Sequence, residues 1–145
     1  MNYEPTTKTL SVFCDGGARG NPGPAASAFV IKDQSGKILH EQGFYLGVTT
    51  NNQAEYQAVI EALKFLSTQH LAPSTQINFY LDSQLVVNQL KGTFKVKDHG
   101  LKIKHLEIKR LISNLKFKIS NFVYVPRAQN SRADFLVNQT LDSHS

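Results

Sequence analysis

Hydrophobic and polar positions in the first third of the chain follow the short period of β-strands. Residues 9–15, 25–32 and 37–46 are rich in β-branched and apolar side chains, and turn-forming Gly, Pro, Asn and Asp residues separate them. Connections this short join antiparallel neighbours. The pattern therefore predicts three strands in an antiparallel meander.

After Asn51 the spacing of apolar residues becomes helical. Tyr56, Val59, Ile60 and Leu63 recur at i, i+3, i+4 and i+7, so they share one helical face. The remaining pattern predicts, in order, a strand at 76–82, a short helix from the N-cap Ser83 through Leu90 to Gly92, a helix at 99–115, a strand at 118–125, and a last helix capped by Ser131 with Asp134 at its third position.

The element order βββαβααβα predicts an α/β fold. We expect one mixed five-stranded sheet, an antiparallel meander plus parallel strands, with helices on both faces. No repeat or change in composition divides the chain, so a single domain over residues 1–145 is expected, with its core at about 9–141 and flexible ends at 1–8 and 142–145. Such sheets bind ligands beyond the carboxyl ends of neighbouring parallel strands.

Composition is that of an ordinary folded domain. A hydrophobic content of 41% over 145 residues excludes disorder as a description of the whole chain. No run approaches the roughly 20 apolar residues of a membrane helix, and the first residues lack the pattern of a secretory signal. Cys14 is the single cysteine, which excludes an internal disulfide and favours a reducing cytoplasm.

Positive charge is concentrated in one segment. The net charge is +5, and nine of the 16 basic residues lie between Lys91 and Lys118, opposed there by Asp98 and Glu107 alone. This distribution is typical of proteins that bind a polyanion such as nucleic acid. The ordinary alternative is the solvated face of a lysine-rich helix.

Four of the 11 acidic residues stand at predicted strand ends or helix starts. Asp15 and Asp82 end the first and fourth strands, and Glu55 and Asp134 lie in the first turns of two helices. If those strands are parallel neighbours, the four carboxylates meet at one sheet edge. They would then need a counter-charge, and one or two Mg²⁺ ions suit oxygen ligands. Singly, each acid has an ordinary alternative role in a turn or at a helix start.

Four segments make the chain resemble a known family. They are CDGGARGNPG (14–23), TTNNQAEYQAVIEAL (49–63), YLDSQLVVNQLKG (80–92) and VPRAQNSRADFLVNQ (125–139). These segments resemble type 1 ribonuclease H, in the form without a basic protrusion. With the strand pattern between them, the resemblance covers about residues 9–141 and implies the mixed five-stranded sheet of ribonuclease H-like folds.

The resemblance implies an endoribonuclease that hydrolyses the RNA strand of RNA–DNA hybrids, leaves 5′-phosphate and 3′-hydroxyl ends, and removes RNA primers and hybrids. The family's catalytic and metal-binding carboxylates fall on Asp15, Glu55, Asp82 and Asp134. They would hold two Mg²⁺ ions, replaceable by Mn²⁺, one at the attacking water and one at the leaving 3′-oxygen. A monomeric, cytoplasmic enzyme without a membrane partner is expected.

The resemblance also implies contacts to the hybrid. The glycine loop brings backbone amides close to the RNA strand, and Asn51 and Asn52 contact 2′-hydroxyls in the minor groove. Thr50 and Asn130 form part of a pocket for a DNA-strand phosphate. The ordinary alternatives are a plain loop and, for Thr50 and Asn51, helix N-capping. The implied substrate-binding residues are Gly16, Gly17, Arg19, Gly20, Asn21, Thr50, Asn51, Asn52, Arg127 and Asn130.

Three features depart from the family pattern. No histidine lies in 121–139, where many relatives carry one. Arg127 occupies that loop, and we expect it to contact phosphate or assist product release, with a surface ion pair as the alternative. Residues 91–98 leave little room for a basic protrusion, whose place the lysines of 91–118 would take. Val48 stands where relatives place a basic residue, which predicts a weaker phosphate pocket.

Two other functions are compatible with parts of the pattern. A different carboxylate nuclease or a strand-transfer enzyme would share the metal site but lack the glycine loop and the pair Asn51 and Asn52. A non-catalytic hybrid-binding module would have lost at least one carboxylate, and all four are present. Nucleotide binding through a P-loop is excluded, because the GK[ST] signature is missing.

Overall fold

The computed structural model describes residues 8–145 and contains five strands and four α-helices. They are β1 (Thr9–Ala18), β2 (Gly23–Lys32), β3 (Ile38–Thr49), α1 (Asn51–Ser67), β4 (Gln76–Leu81), α2 (Gln84–Leu90), α3 (His99–Ser113), β5 (Lys118–Tyr124), a short 3-10 turn (Arg127–Asn130) and α4 (Ser131–Asp142). This order confirms the predicted one. The N-terminal end predicted to be flexible lies, except for Lys8, outside the described residues.

All five strands form one sheet in the order β3-β2-β1-β4-β5. β2 pairs antiparallel with β1 and with β3, whereas β4 runs parallel to both β1 and β5. The mixed sheet confirms the predicted fold class. It also makes β1 and β4 parallel neighbours, so their carboxyl ends reach the same edge.

β1 continues beyond the predicted strand end at Asp15. Its antiparallel pairing with β2 extends to Ala18, opposite Ala25, whereas its parallel pairing with β4 stops at Phe13, opposite Tyr80. The prediction that Asp15 ends the strand is therefore wrong, because pairing with β2 keeps the glycine pair extended. Asp15 lies in a segment of β1 that is paired on one side only.

Helices cover both faces of the sheet. α1, α2 and α3 bury one face together with strand residues such as Val12, Phe29 and Phe79. α4 covers the other face through Leu136 and Val137, which pack on small alanines of β2. Full burial of each large apolar side chain stabilises the fold by about 1.5–3 kcal/mol. These two layers hold the helix N-termini in fixed positions at the sheet edge.

Side-chain hydrogen bonds determine where three helices begin. Thr50, Ser83 and Asp98 each accept a hydrogen bond from the backbone N–H of the third residue of α1, α2 and α3, respectively. The Ser83 cap was predicted. Thr50 caps α1, which is the alternative role given for it in the sequence analysis. Because α1 begins at Asn51, Glu55 is its fifth residue, so its predicted place in the first turn is wrong.

The start of α4 differs from the prediction. Its N-cap is Asn130, and Ser131 already has helical backbone angles because the 3-10 turn leads directly into the helix. The predicted Ser131 cap is therefore wrong. Asp134 does lie in the first turn, as expected.

The C-terminal residues 142–145, predicted to be flexible, have defined partners. The Asp142 carboxylate lies 2.7 Å from the guanidinium of Arg19, and the His144 ring stacks on Tyr45 with centroids 4.1 Å apart. These contacts hold the end of α4 against β3 and the loop after β1. Among residues 8–145, every helix is too short or too polar to cross a membrane.

Candidate metal centre and nucleic-acid cleft

Three carboxylates meet at the carboxyl edge of the sheet. Asp15 comes from β1, Glu55 from α1, and Asp82 directly follows β4. One carboxylate oxygen from each lies within 4.8 Å of the others. The structure therefore brings together three of the four acids singled out in the sequence.

Asp134 lies in the same cleft but outside this close group. It projects from the first turn of α4, on the opposite face of the sheet from α1. Its charge raises the pKa values of Asp15 and Asp82, although burial contributes more to both. Asp134 is thus coupled electrostatically to two of the three carboxylates of the close group.

A close contact between β1 and α1 brings Glu55 to the strand edge. A Cβ atom on Gly16 would lie 2.2 Å from the backbone carbonyl carbon of Ala54, so only glycine allows this approach. The Ser27 hydroxyl on β2 donates to the Ala54 carbonyl over 2.6 Å and holds the same helical turn. Helix–strand packing therefore accounts for Gly16 without any substrate.

Burial and like charge disfavour the fully ionised cluster. Burial raises the pKa of Asp15 to about 8, and the charges of Asp82, Asp134 and Glu55 add to the rise. Burial also raises the pKa of Glu55 to about 8, with Asp82 adding and Arg127 opposing. The pKa of Asp82 is raised chiefly by burial as well. Acids held this close keep protons near neutral pH unless positive charge joins them.

The donor set fits a divalent cation that prefers oxygen ligands. The close group consists of carboxylates alone, whereas zinc sites are usually built with nitrogen or sulfur ligands. Oδ2 of Asp82 is buried and finds no hydrogen-bond partner among residues 8–145. Buried acceptors usually have a partner, and a cation would supply one.

The carboxylates line an open cleft of about 490 Å³. One wall is the loop after β1, where Arg19 reaches across to α4, pairs with Asp142 and donates to the side-chain oxygen of Asn138 over 3.4 Å. The other walls are the start of α1 and the inner face of α4. A concave, polar floor with an open mouth suits a large ligand.

Asn51 ties the loop after β1 to the start of α1. Its Oδ1 accepts a hydrogen bond from Ala18 N over 2.8 Å, and its own backbone N–H donates to Oδ1 of Asn21 over 3.1 Å. The capping alternative for Asn51 is therefore wrong, since Thr50 caps the helix. Asn52 lines both the acidic cleft and a neighbouring pocket at Thr50.

Asn130 does not share a pocket with Thr50. It is 1% exposed, and its Nδ2 donates to the Cys14 carbonyl over 2.8 Å. Thr50 instead lines a pocket of about 360 Å³ with Asn52 and the carboxylate-bearing Asp98. The Asn130 side chain is thus buried beneath the cleft, and its predicted contact with a DNA-strand phosphate stays a prediction.

Comparison with known proteins identifies the family. The sequence model of a family described as "Reverse transcriptase-like" matches residues 13–140. Ribonuclease HI of Helicobacter pylori is 33% identical over 138 residues, which covers 88% of this chain and 89% of that protein. The chain belongs to the type 1 ribonuclease H family.

Solved ribonuclease H1 structures have the same fold. The crystal structure of LC11-RNase H1 in complex with an RNA/DNA hybrid matches with a TM-score of 0.88 at 42% identity, over 93% of this chain and 98% of that one. Ribonuclease HI of Halobacterium salinarum is 41% identical over 92% of this chain, which spans 64% of that protein. The chain spans only 35% of the 38% identical bifunctional protein Rv2228c of Mycobacterium tuberculosis.

Arg127 stands in the loop before Asp134. Its Nε lies 3.9 Å from Oδ2 of Asp82, and its side chain is 84% exposed. The ion-pair alternative therefore describes its present contact, although an exposed guanidinium next to the carboxylates can also turn toward a ligand. The nearest histidine in the sequence, His144, stacks on Tyr45 at the end of α4.

The basic segment divides between the two ends of the sheet. α1 and α3 run side by side in the same direction, since Gly100 contacts Gln53 and Lys104 donates to Gln57. Lys95, Lys97 and Lys102 are therefore near the cleft end, and Lys109, Arg110, Lys116 and Lys118 lie toward the opposite end. Within residues 91–98, α2 and α3 are joined directly, which agrees with a ribonuclease H lacking the basic protrusion.

Sequence reasoning missed one wall of the cleft. Asp134, Val137, Asn138 and Leu141 all line it from α4. Their spacing of i, i+3, i+4 and i+7 marks one helical face, so this face could have been found once Asp134 was placed. The two polar members, Asp134 and Asn138, mark the part of that face that meets the cleft.

Proposed function

We propose that this protein hydrolyses the RNA strand of RNA–DNA hybrids and leaves 5′-phosphate and 3′-hydroxyl ends. The convergence of Asp15, Glu55 and Asp82 at the floor of an open cleft carries this proposal. Phosphodiester hydrolysis is the chemistry that such carboxylate clusters perform with divalent cations. The hybrid-bound LC11-RNase H1, 42% identical, supports the choice of substrate.

The cofactor in this proposal is Mg²⁺, two ions in number, with Mn²⁺ as a substitute. Asp15, Glu55 and Asp82 would hold the cations, and Asp134 would complete the set from α4. When bound, the ions would allow all four carboxylates to ionise and would stabilise negative charge that develops at the phosphodiester. The raised pKa values of Asp15 and Glu55, due mainly to burial, support a need for that charge.

The RNA strand would lie along the loop after β1 and the start of α1. Asn52 is the freer of the two asparagines to contact a 2′-hydroxyl, because the side-chain oxygen of Asn51 already accepts a hydrogen bond from Ala18 in the loop. Gly17 leaves its side of the cleft open, since an added Cβ would meet nothing closer than 3.9 Å. A 2′-hydroxyl is the group by which a protein distinguishes RNA from DNA.

Arg127 and the near half of the basic segment would hold phosphates. The Arg127 guanidinium is exposed beside Asp82 and suits bidentate contact to a phosphate oxygen pair. It would steady the RNA backbone or assist product release. Lys95, Lys97 and Lys102, all exposed, would contact the backbone farther along the duplex.

We further propose that the protein acts as a monomer in the cytoplasm, where it removes RNA primers and other hybrids. Its single cysteine, Cys14, is buried and free. That state needs no oxidising compartment. Mass measurement in solution and localisation of a tagged chain would test the two parts separately.

Cleavage of a labelled RNA–DNA hybrid tests the main proposal. We expect cuts in the RNA strand alone with Mg²⁺ or Mn²⁺, and none when EDTA removes the cation. Glu55→Gln keeps the side-chain shape but removes a charge, and it should lower the rate at least about a thousandfold, or about 4 kcal/mol. Glu107→Gln, on exposed α3, is the matched control and should retain the wild-type rate.

Two outcomes would contradict the proposed function. Cleavage that persists in EDTA would separate the activity from the carboxylate cluster. Binding of the hybrid without cleavage at any cation concentration would instead identify a hybrid-binding module.

A further inference from the structure

Asn130 is nearly completely buried at the N-cap position of α4, yet its side chain does not cap that helix. It is 1% exposed, and its side chain makes no capping hydrogen bond. Asparagine at an N-cap ordinarily accepts a hydrogen bond from the first turn. Here Nδ2 donates instead to the carbonyl of Cys14, 116 positions earlier in the chain and immediately before Asp15.

The Cys14 carbonyl needs this donor because β4 ends too early to supply one. The parallel pairing of β1 and β4 stops at Phe13, and β1 continues alone on that side. A buried carbonyl without a partner destabilises a fold by about 1–3 kcal/mol. The Asn130 amide therefore takes the place that a longer β4 would have filled.

The same amide group lies beside Asp82. Burial raises the pKa of Asp82, and the nearby Asn130 side chain is one of the groups that oppose this rise. Oδ1 of Asn130 and Oδ2 of Asp82 are both buried, and neither finds a hydrogen-bond partner among the described residues. The Asn130 side chain thus donates to the strand that carries Asp15, lies near the carboxyl group of Asp82, and stands one helical turn before Asp134.

We propose that Asn130 is a positioning residue that fixes Asp15, Asp82 and Asp134 relative to one another and so sets the affinity of the cluster for divalent cations. The inference rests on the cation requirement of the proposed function. Residues that orient metal ligands from behind typically change metal affinity by about 10–100-fold when they are replaced. Asn130 acts through the carboxylates and makes no contact with substrate.

Calorimetric titration with Mn²⁺ alone, on the whole protein, tests the proposal. Asn130→Ala and the gentler Asn130→Ser both remove the amide, and each should raise the Mn²⁺ dissociation constant about tenfold or more. In hybrid cleavage, the half-saturating cation concentration should rise by a similar factor, and part of the lost rate should return at high cation concentration.

Tyr56→Phe is the matched control. It removes a different buried hydrogen bond, from the Tyr56 hydroxyl to Oε1 of Gln89 over 2.7 Å, and it should lower the melting temperature without changing Mn²⁺ affinity. If folded Asn130→Ser binds Mn²⁺ within twofold of wild type, the proposal is overturned and Asn130 serves packing alone. Wild-type protein that binds no Mn²⁺ also overturns it. Wild-type protein that binds Mn²⁺ but leaves the hybrid intact removes the proposed function and not this inference.

Discussion

The two ends of the sheet both carry a pocket, and they differ in chemistry rather than in size. The cleft at the carboxyl end measures about 490 Å³, and a pocket of about 530 Å³ lies at the amino end between the C-termini of α1 and α3. The larger pocket is lined by residues such as His70, Asn114 and Lys116. Among residues 8–145, acids converge only at the carboxyl end. Volume therefore does not mark the site, whereas converging like charge does.

Strand pairing differs between the two ends in the same way. At the amino end, β1, β4 and β5 begin together, with Thr9, Gln76 and Lys118 in register. At the carboxyl end, β4 stops while β1 runs on, and the side chain of Asn130, just before α4, donates to the Cys14 carbonyl of β1. The end at which β1 loses its pairing with β4 is the one that holds the buried acids.

Glutamate side chains inside and outside the cleft have pKa values shifted in opposite directions. The hydrogen-bonded guanidinium of Arg132 holds the pKa of Glu41 below its usual range, whereas burial raises that of Glu55 to about 8. Natural folds usually provide buried acids with a partner. The cleft without its cation is therefore a destabilised part of this molecule, and the following variants test that difference.

Asp15→Asn should have the largest effect. The change removes the most perturbed carboxylate, so hybrid cleavage in Mg²⁺ should fall at least about a thousandfold, or about 4 kcal/mol in transition-state stabilisation. Single-turnover cleavage measures it, and circular dichroism checks the fold. Turnover within tenfold of wild type would show that cleavage does not depend on the carboxylates at the carboxyl end of the sheet.

The same variant should stabilise the protein when EDTA is present. The folded pKa of Asp15, raised to about 8 by burial and neighbouring acids, exceeds its unfolded value. Its contribution to stability is therefore full below the unfolded pKa and is lost as pH rises toward and through 8. Asp15→Asn escapes this loss, so its advantage in urea unfolding should grow from pH 5 to pH 9 and reach on the order of 2 kcal/mol. An advantage that shrinks with rising pH would contradict this assignment.

Lysines at the two ends should differ in their effect on hybrid binding. Replacing Lys95 and Lys97 by Gln should reduce the slope of log affinity against log salt by about 2, since each phosphate contact releases about one counterion. Replacing Lys116 and Lys118 by Gln removes the same charge at the amino end and should leave the slope unchanged. Filter binding in EDTA at several salt concentrations measures both. Equal slopes for the two double variants would show that the basic segment acts only through its overall positive charge and not through contacts at one end of the sheet.

His70→Ala should have the smallest effect. It opens the larger pocket at the amino end, and an exposed change there should alter stability by less than about 0.5 kcal/mol. Hybrid cleavage should stay within twofold of wild type. A clear loss of cleavage would mean that the amino-end pocket takes part in function, which would end the contrast between the two ends.

Most of the fold could be predicted from local pattern. The helical spacing of Tyr56, Val59 and Ile60 and the strand-like segments around them led to the correct element order, because each element buries a face that its own sequence defines. Strand ends were less predictable. β1 passes Asp15 because β2, the next strand, pairs with it as far as Ala18, and the glycine pair gives no sign in its own sequence of that pairing.

The acidic residues of the candidate site could be predicted from the sequence, whereas the polar residues around them could be predicted less well. Asp15, Asp82 and Glu55 were singled out by their places near strand ends and a helix start, and the structure brings them together. The burial of Asn130 was not foreseen, because a polar side chain gives no sign in the sequence that it will be buried. Asn138 was missed because its role depends on how α4 packs across the sheet.

The contact at Gly16 has a consequence for anyone who moves this cleft into another scaffold. The spacing between β1 and α1 depends on a missing Cβ atom, which would otherwise lie 2.2 Å from Ala54. Grafting the four acids onto a new backbone would therefore copy the ligands but lose the close approach of β1 and α1 that sets the distance between them. A working transplant has to carry the glycine and the helical turn that rests on it as one piece.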